Sequence, residues 1–299
     1  MRYWARRAGL LLLATLAAAP PAPAQAPPPE EPDFFFLTGG PYTQLKDSFQ
    51  IIWANQFVRD RNGMVPRVVR SDFVGAGRFE WGFTDRLEFD LEFGYLRLRE
   101  RTGGVSTFSA QGADNTMLGV RYRLLREDSA PITLTTGPQV ILPSASPANG
   151  GGLGAGEVSY AWDLALARDF GGPFFTVASV NLSLTPNVPE LAPGSSRRFD
   201  LSAVAWAVAL GLRPLERDTS AGDHHDIHLF LEFAGARREE IAFAGRSRTD
   251  EFQVAPAVRY GFWRQRNALT EIGIAFPVGL NRAAPDWGVI VQLQFEYGF

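Results

Sequence analysis

Polar and apolar residues alternate along most of this chain with a period of two. From Phe49 to the last residue, twelve segments carry the pattern: roughly 49–57, 69–83, 87–98, 115–126, 132–142, 158–168, 174–185, 199–213, 227–234, 251–262, 268–279 and 287–299. In 87–98, Leu87, Phe89, Leu91, Phe93 and Tyr95 share one parity and Glu88, Asp90 and Glu92 the other. In 158–168, Val158, Tyr160, Trp162, Leu164 and Leu166 oppose Ser159, Ala161, Asp163 and Ala165. The last segment sets Trp287, Val289, Val291, Leu293, Phe295, Tyr297 and Phe299 against Gln292, Gln294 and Glu296. Side chains alternate faces along a strand, so each segment reads as a strand with one apolar and one polar face. Acids and arginines on the polar faces would not be accepted by a soluble core, so that face meets a polar environment.

The connections add an independent signal. The set Val58–Val68, Arg99–Asp114, Pro143–Glu157, Pro186–Arg198, Gly235–Asp250 and Leu280–Asp286 is mostly long. The intervening set Thr84–Arg86, Glu127–Pro131, Asp169–Gly172, Pro214–Asp226 and Trp263–Asn267 is mostly short. An even strand count, one apolar face and alternating long and short connections are the signature of a transmembrane β-barrel. The expected fold is therefore all-β: one antiparallel barrel of about twelve strands over 49–299, with short periplasmic turns and longer extracellular loops. The C-terminal strand, closing on Phe299 with aromatics at both ends of its apolar parity, resembles the last strand of bacterial outer-membrane barrels. That resemblance implies Phe299 as the signal read by the barrel-assembly machinery.

Met1 to Ala24 reads as a signal peptide: Arg2, Arg6 and Arg7 lead, Ala8 to Ala19 is apolar, and Ala22-Pro23-Ala24 is a small-residue cleavage site. The expected location is a bacterial outer membrane of Gram-negative type, reached after secretion and cleavage. Residues 25–48 read as a flexible leader or a small plug. Phe34-Phe35-Phe36-Leu37 and Gly39-Gly40-Pro41 suit either a lumenal plug or a foot at the membrane interface. The net formal charge of −3 gives no electrostatic case for nucleic acid. With no cysteine there is no disulfide framework and no lipid attachment site.

No cofactor, metal or catalytic set is expected. His224, His225 and His228 could form a His-His-x-x-His site, but the run reads as a solvated turn entering a strand, with no fourth ligand beside it. Gly150 to Gly156 lacks the Lys-Ser/Thr and the helix of a phosphate loop. The residues expected to line a lumen are Arg78, Glu80, Glu88, Asp90, Glu92, Arg121, Arg123, Asp163, Glu232, Arg259 and Glu271. A three-residue turn Thr84–Arg86 would pair Phe83 with Leu87, Glu80 with Asp90 and Arg78 with Glu92, with Phe93 covering Gly77. Two facing carboxylates need a cation, and placing Arg121 beside Asp90 and Arg123 beside Glu88 would supply it.

Three stretches carry a further resemblance. Gly82-Phe83-Thr84-Asp85-Arg86-Leu87-Glu88, Gly112-Ala113-Asp114 leading into Leu118 to Leu124, and Gly137-Pro138-Gln139-Val140-Ile141-Leu142-Pro143 are similar in order and spacing to the transporter-type barrels grouped under the MetA pathway of phenol degradation. The match spans about a quarter of the chain, and Ala113 stands where that pattern has glycine. It implies a non-enzymatic outer-membrane channel for passive or facilitated uptake of small organic solutes, aromatic or hydrophobic ones among them. The alternatives are a non-conducting structural or adhesion barrel and, third, an outer-membrane lipid hydrolase. Expected partners are outer-membrane lipid, the assembly machinery and the solute.

Overall fold

A computed structural model describes residues 35–61, 68–102, 105–144, 156–190, 196–218, 224–242, 245–264 and 268–298. The expected signal peptide, the first part of the expected leader and Phe299 lie outside the described residues, as does most of the glycine run from Gly150. The strands are β1 (Phe49–Arg61), β2 (Val68–Thr84), β3 (Leu87–Thr102), β4 (Val105–Ala113), β5 (Thr116–Leu125), β6 (Thr133–Leu142), β7 (Ser159–Asp169), β8 (Phe174–Pro189), β9 (Arg198–Asp218), β10 (His224–Ala242), β11 (Gly245–Arg264), β12 (Ala268–Ala275), β13 (Val278–Gly279) and β14 (Trp287–Tyr297). Each pairs antiparallel with its neighbour, and β1 pairs with β14 from Phe49↔Tyr297 to Arg59↔Trp287, closing the sheet. Fourteen segments make a twelve-stranded barrel because two barrel strands are interrupted. β4 and β5 pair with successive parts of β3, and β12 and β13 do the same along β11. The β1–β14 pairing removes the two edges that an open sheet of these strands would present, while β4 lies off this path and pairs with β3.

The barrel is inverted relative to a soluble protein. Glu88 and Asp90 are fully buried, while Phe89 between them is 37% exposed. Trp53, Trp81, Phe93, Trp162, Leu182 and Leu293 stand on the exposed face. The polar parity therefore points into the lumen and the apolar parity outward, as membrane immersion requires. Phe93 lies over Gly77 on the outer face, its ring within 3.0 Å of where a Cβ would sit, and the two are register partners as the pattern predicts.

Several boundaries differ from expectation. Gly235–Asp250 is not a loop: β10 runs to Ala242 and β11 starts at Gly245, in register throughout. Its residues are polar on both parities because the hairpin rises beyond the apolar belt. Cross-strand pairs such as Arg237–Asp250, at 2.6 Å, hold it together. Similarly, Arg99–Asp114 is mostly the β3–β4 ribbon. β9 continues to Asp218 and β10 begins at His224, so both ends of the expected Pro214–Asp226 turn are strand. All three histidines thus lie in a strand. The first turn is also tighter than three residues: Thr84 pairs with Leu87, and a bulge at Phe83 absorbs the offset.

Candidate functional site in the lumen

An extended segment crosses the lumen before β1. A chain with no partner strand must satisfy its peptide groups otherwise, and the wall does so with side chains. Glu232 on β10 accepts hydrogen bonds from the backbone N–H of Phe36 (3.0 Å), Leu37 and Thr38 (both 2.8 Å), and from the Thr38 hydroxyl (2.9 Å). The Gly39 N–H donates to Ser179 Oγ on β8 at 3.1 Å. Arg121 on β5 donates to the Gly40 carbonyl at 2.9 Å. Thr135 on β6 donates to the Pro41 carbonyl, and Arg123 to the Thr43 carbonyl and hydroxyl. The Gln44 N–H donates to Glu88 on β3. The segment then docks on β2, with Asp47 N–H donating to the Gly82 carbonyl at 2.9 Å and Gly82 N–H to the Ser48 carbonyl at 3.0 Å. Gly82 is required there: a Cβ would lie 1.9 Å from the Leu45 carbonyl oxygen. The interfacial foot is not the arrangement seen for 35–48; Thr38, Thr43, Gln44 and Ser48 are buried within the barrel.

The room for this strap comes from small residues. Ala165 and Ala167 on β7, Ala207, Ala209 and Gly211 on β9 and Ala255 on β11 leave a hollow on one side of the lumen. Phe35, Phe36 and Tyr42 pack there against Phe175, Val177 and Phe230, with the Phe35 and Phe230 rings edge-on at 5.5 Å.

On the opposite wall stand the predicted charges. Register pairs Glu80 with Asp90 and Arg78 with Glu92, as expected. Arg121 stands opposite Glu88, two positions from the expected place beside Asp90. The long β3–β4 ribbon, with its own shift between Glu100 and Arg101, lies between the two strands and is not encoded in the alternation. Arg121 still reaches Glu88 (2.8 Å), Glu80 (3.2 Å) and Asp90 (3.3 Å). Arg78 reaches Glu80 at 2.7 Å and Asp90 at 3.6 Å. Arg123 does not stand beside Glu88; its guanidinium binds the strap at Thr43. Glu80, Glu88 and Asp90 are close enough to share a cation, and the Arg121 guanidinium already occupies their midst.

A second cluster joins β10, β11 and β12. Arg259 contacts Asp226 (2.6 Å), His228 (3.3 Å) and Glu271. His228 is buried beside Phe175 and Phe230, whereas His225 meets Tyr260 and Phe262 on the outer parity. His225 and His228 therefore do not converge on one point. Asp163 stands apart from both clusters, higher on β7, beside a cavity. The sequence pattern marks His228 only as a possible metal ligand and does not mark Thr38, Gln44, Gln50, Asp226 or Gln294 as site residues, yet all six are buried. Asp226 shares the parity of His228 and Glu232, a signal obscured by reading it as the end of a turn.

No protein-family model and no curated relative matches the chain. The fold is similar to an outer membrane channel from Pseudomonas putida F1, with TM-score 0.60 and 12% identity over 86% of this chain and 98% of that one. It is also similar to the beta domain of the Bordetella autotransporter Brka, with TM-score 0.54 and 12% identity over 86% of this chain and 100% of that one. The class is thus plain: the chain has the fold of a bacterial outer-membrane β-barrel.

Proposed function

We propose that this protein is an outer-membrane channel for small organic solutes, closed in its resting state by residues 35–48. The observation that carries the reading is the two-level lumen. Near the short turns, the strap and the two charge clusters fill the section. Above the strap, a cavity of about 250 Å³ of mixed polar and apolar lining remains, bounded by Leu37 and Gly39 below and by Asp163, Asn181 and Gln253 on the wall. A cavity ending on a segment held by side-chain hydrogen bonds suits a conduit with a removable stop. The resemblance to the phenol-degradation transporter barrels supports the same reading. In this orientation the short turns face the periplasm and the β10–β11 hairpin faces outward.

The filled section is also what a non-conducting structural barrel would have, so that reading stands second. Single-channel recording in planar bilayers separates them. A channel gives rare openings for the full chain and frequent ones once the strap is loosened. Sealed membranes under both conditions would leave the structural barrel as the better reading.

A further inference from the structure

The cavity above the strap is built from two rows of residues that the strand register places side by side. The lower row is Ser179, Ala207, Ala234 and Gln253, on β8, β9, β10 and β11 in turn, with Ala165 on β7 continuing the row outside the cavity. The upper row, one pleat repeat higher, is Asp163, Asn181, Ala205, Ala236 and Glu251. Methyl groups thus form a shelf on β9 and β10, and hydrogen-bonding side chains rise on both sides of it. The row below carries Glu232, the strap's main anchor, between Ala209 and Ala255. The strap at Leu37 and Gly39 is therefore the floor of the cavity.

The dimensions select a size. From β8 to β11 is three strand spacings, about 14 Å along the wall. Allowing roughly 3–4 Å for each flanking side chain leaves about 7 Å between the rims, the breadth of one six-membered ring. A cavity of about 250 Å³ lies just under the usual range for drug-sized ligands, which points to a solute of one ring.

The chemistry selects a class. One rim offers the Asp163 carboxylate, the Ser179 hydroxyl and the Asn181 amide, whose Nδ2 donates to Gln139 at 3.1 Å and whose carbonyl oxygen is an acceptor by type. The other offers the Gln253 amide, Glu251, and Arg238, which stands 4.0 Å from Glu251. Two carboxylates against one guanidinium make the site unfavourable for an anion, while carboxylate and amide oxygens accept from hydroxyl groups. Among the described residues, Trp206 is the one aromatic bordering the cavity, and its parity is outward. The Trp206 ring lies over Gly235 and beside Phe252 on the outer face. The alanine shelf suits the C–H face of a saturated ring.

We propose that this shelf is a binding subsite for a small, uncharged, polyhydroxylated solute rather than for an aromatic one. This deepens the channel reading and rests on it for its physiological meaning, while binding itself is measurable without conduction.

The test is saturation-transfer NMR on the refolded full chain in detergent micelles, with inositol, phenol and benzoate as probes. Inositol is expected to receive saturation and the other two to receive little. Asp163→Ala with Gln253→Ala is expected to weaken inositol binding at least tenfold. Ala207→Leu, which fills the shelf, is expected to abolish it; heat-modifiable migration on gels reports folding for both. Three outcomes overturn the proposal: no inositol signal, equal inositol binding in all variants, or phenol bound in preference and lost in Ala207→Leu. A barrel that binds inositol but never conducts would sink the channel and keep the subsite. One that conducts without binding inositol would do the reverse.

Discussion

Replacing Gly82 with alanine tests the strap at its tightest point. The new Cβ would lie 1.9 Å from the Leu45 carbonyl oxygen and 2.6 Å from that of Gln44. Both obstacles are backbone, so no side-chain rotation relieves the clash, and the segment must move. The move breaks the two hydrogen bonds joining Asp47 and Ser48 to Gly82. At about 0.5–1.5 kcal/mol net each, their loss costs the docked state about 1–3 kcal/mol. An equilibrium shift of that size raises the undocked population roughly 5–150-fold. The strand itself is spared, because alanine is no worse than glycine in a ladder. Gly75→Ala is the matched control: it lies on the same strand, and its nearest neighbour, Asn55 Oδ1, is at 3.4 Å. Single-channel recording should show more frequent openings for Gly82→Ala than for wild type or Gly75→Ala. Adding Glu232→Ala, which removes the four bonds at the other end of the strap, should lengthen the openings. A folded Gly82→Ala/Glu232→Ala barrel that opens no more often than wild type would refute the reasoning.

Four further outcomes are expected. Arg121→Gln leaves Glu80, Glu88 and Asp90 with Arg78 as the remaining cation of that cluster, and breaking a buried pair this way costs about 3–5 kcal/mol. The heat-modifiable transition should fall, and Glu88→Gln in the same chain should restore part of it; an unchanged transition in Arg121→Gln would contradict the cluster's role. Leu182→Arg puts a charge on the outer face and should cost about 2–4 kcal/mol near the membrane midplane. Ser183→Arg, one residue on, points between Ala161 and Ala203 and should assemble far better; equal defects would reverse the parity assignment. Trypsin added to whole cells should cut at Arg237, Arg238 or Arg246 at the hairpin and spare Arg264 until the envelope is opened, and the opposite pattern would invert the topology. Deleting Phe299 should reduce assembled protein while synthesis continues, with normal outer-membrane levels of the shortened chain counting against it as a signal.

The barrel was legible because its code is short-range. Alternation needs only neighbours two residues apart, so Phe89 between Glu88 and Asp90 announces both faces at once, whatever the partner strands do. Strand ends were less legible because the signal used to find them was apolarity. Above the lipid belt the β10–β11 hairpin keeps its ladder but loses its apolar face, so Arg237–Asp250 reads as a loop while pairing as a strand. Register was legible only where a tight turn sets it. The β2–β3 pairing follows from the turn at Asp85 and Arg86, and the bulge at Phe83 absorbs the one-residue error. β3 and β5 are separated by a ribbon, and there the expected place of Arg121 was wrong by two residues.

A lumenal plug is one of two readings of the leader, and its contacts with the wall were hidden for a different reason. Its wall contacts are made mainly by backbone N–H and C=O groups, which every residue carries and no sequence pattern marks. The side chains that receive them look, in sequence, like residues facing water. Glu232 reads as a lumen-facing carboxylate, and only the structure reveals that a peptide takes the place of solvent around it. Two features were visible and belong together in hindsight. One is the cluster of small residues on the inward parity of β9, where Ala203, Ala205, Ala207, Ala209 and Gly211 leave a hollow on one side. The other is an aromatic, glycine-rich segment just before the first strand, long enough to lie in that hollow. A barrel with large charged side chains on one wall and methyl groups on the other does not fill its own section. The missing volume is on the scale of an extended chain, and residues 35–48 supply it.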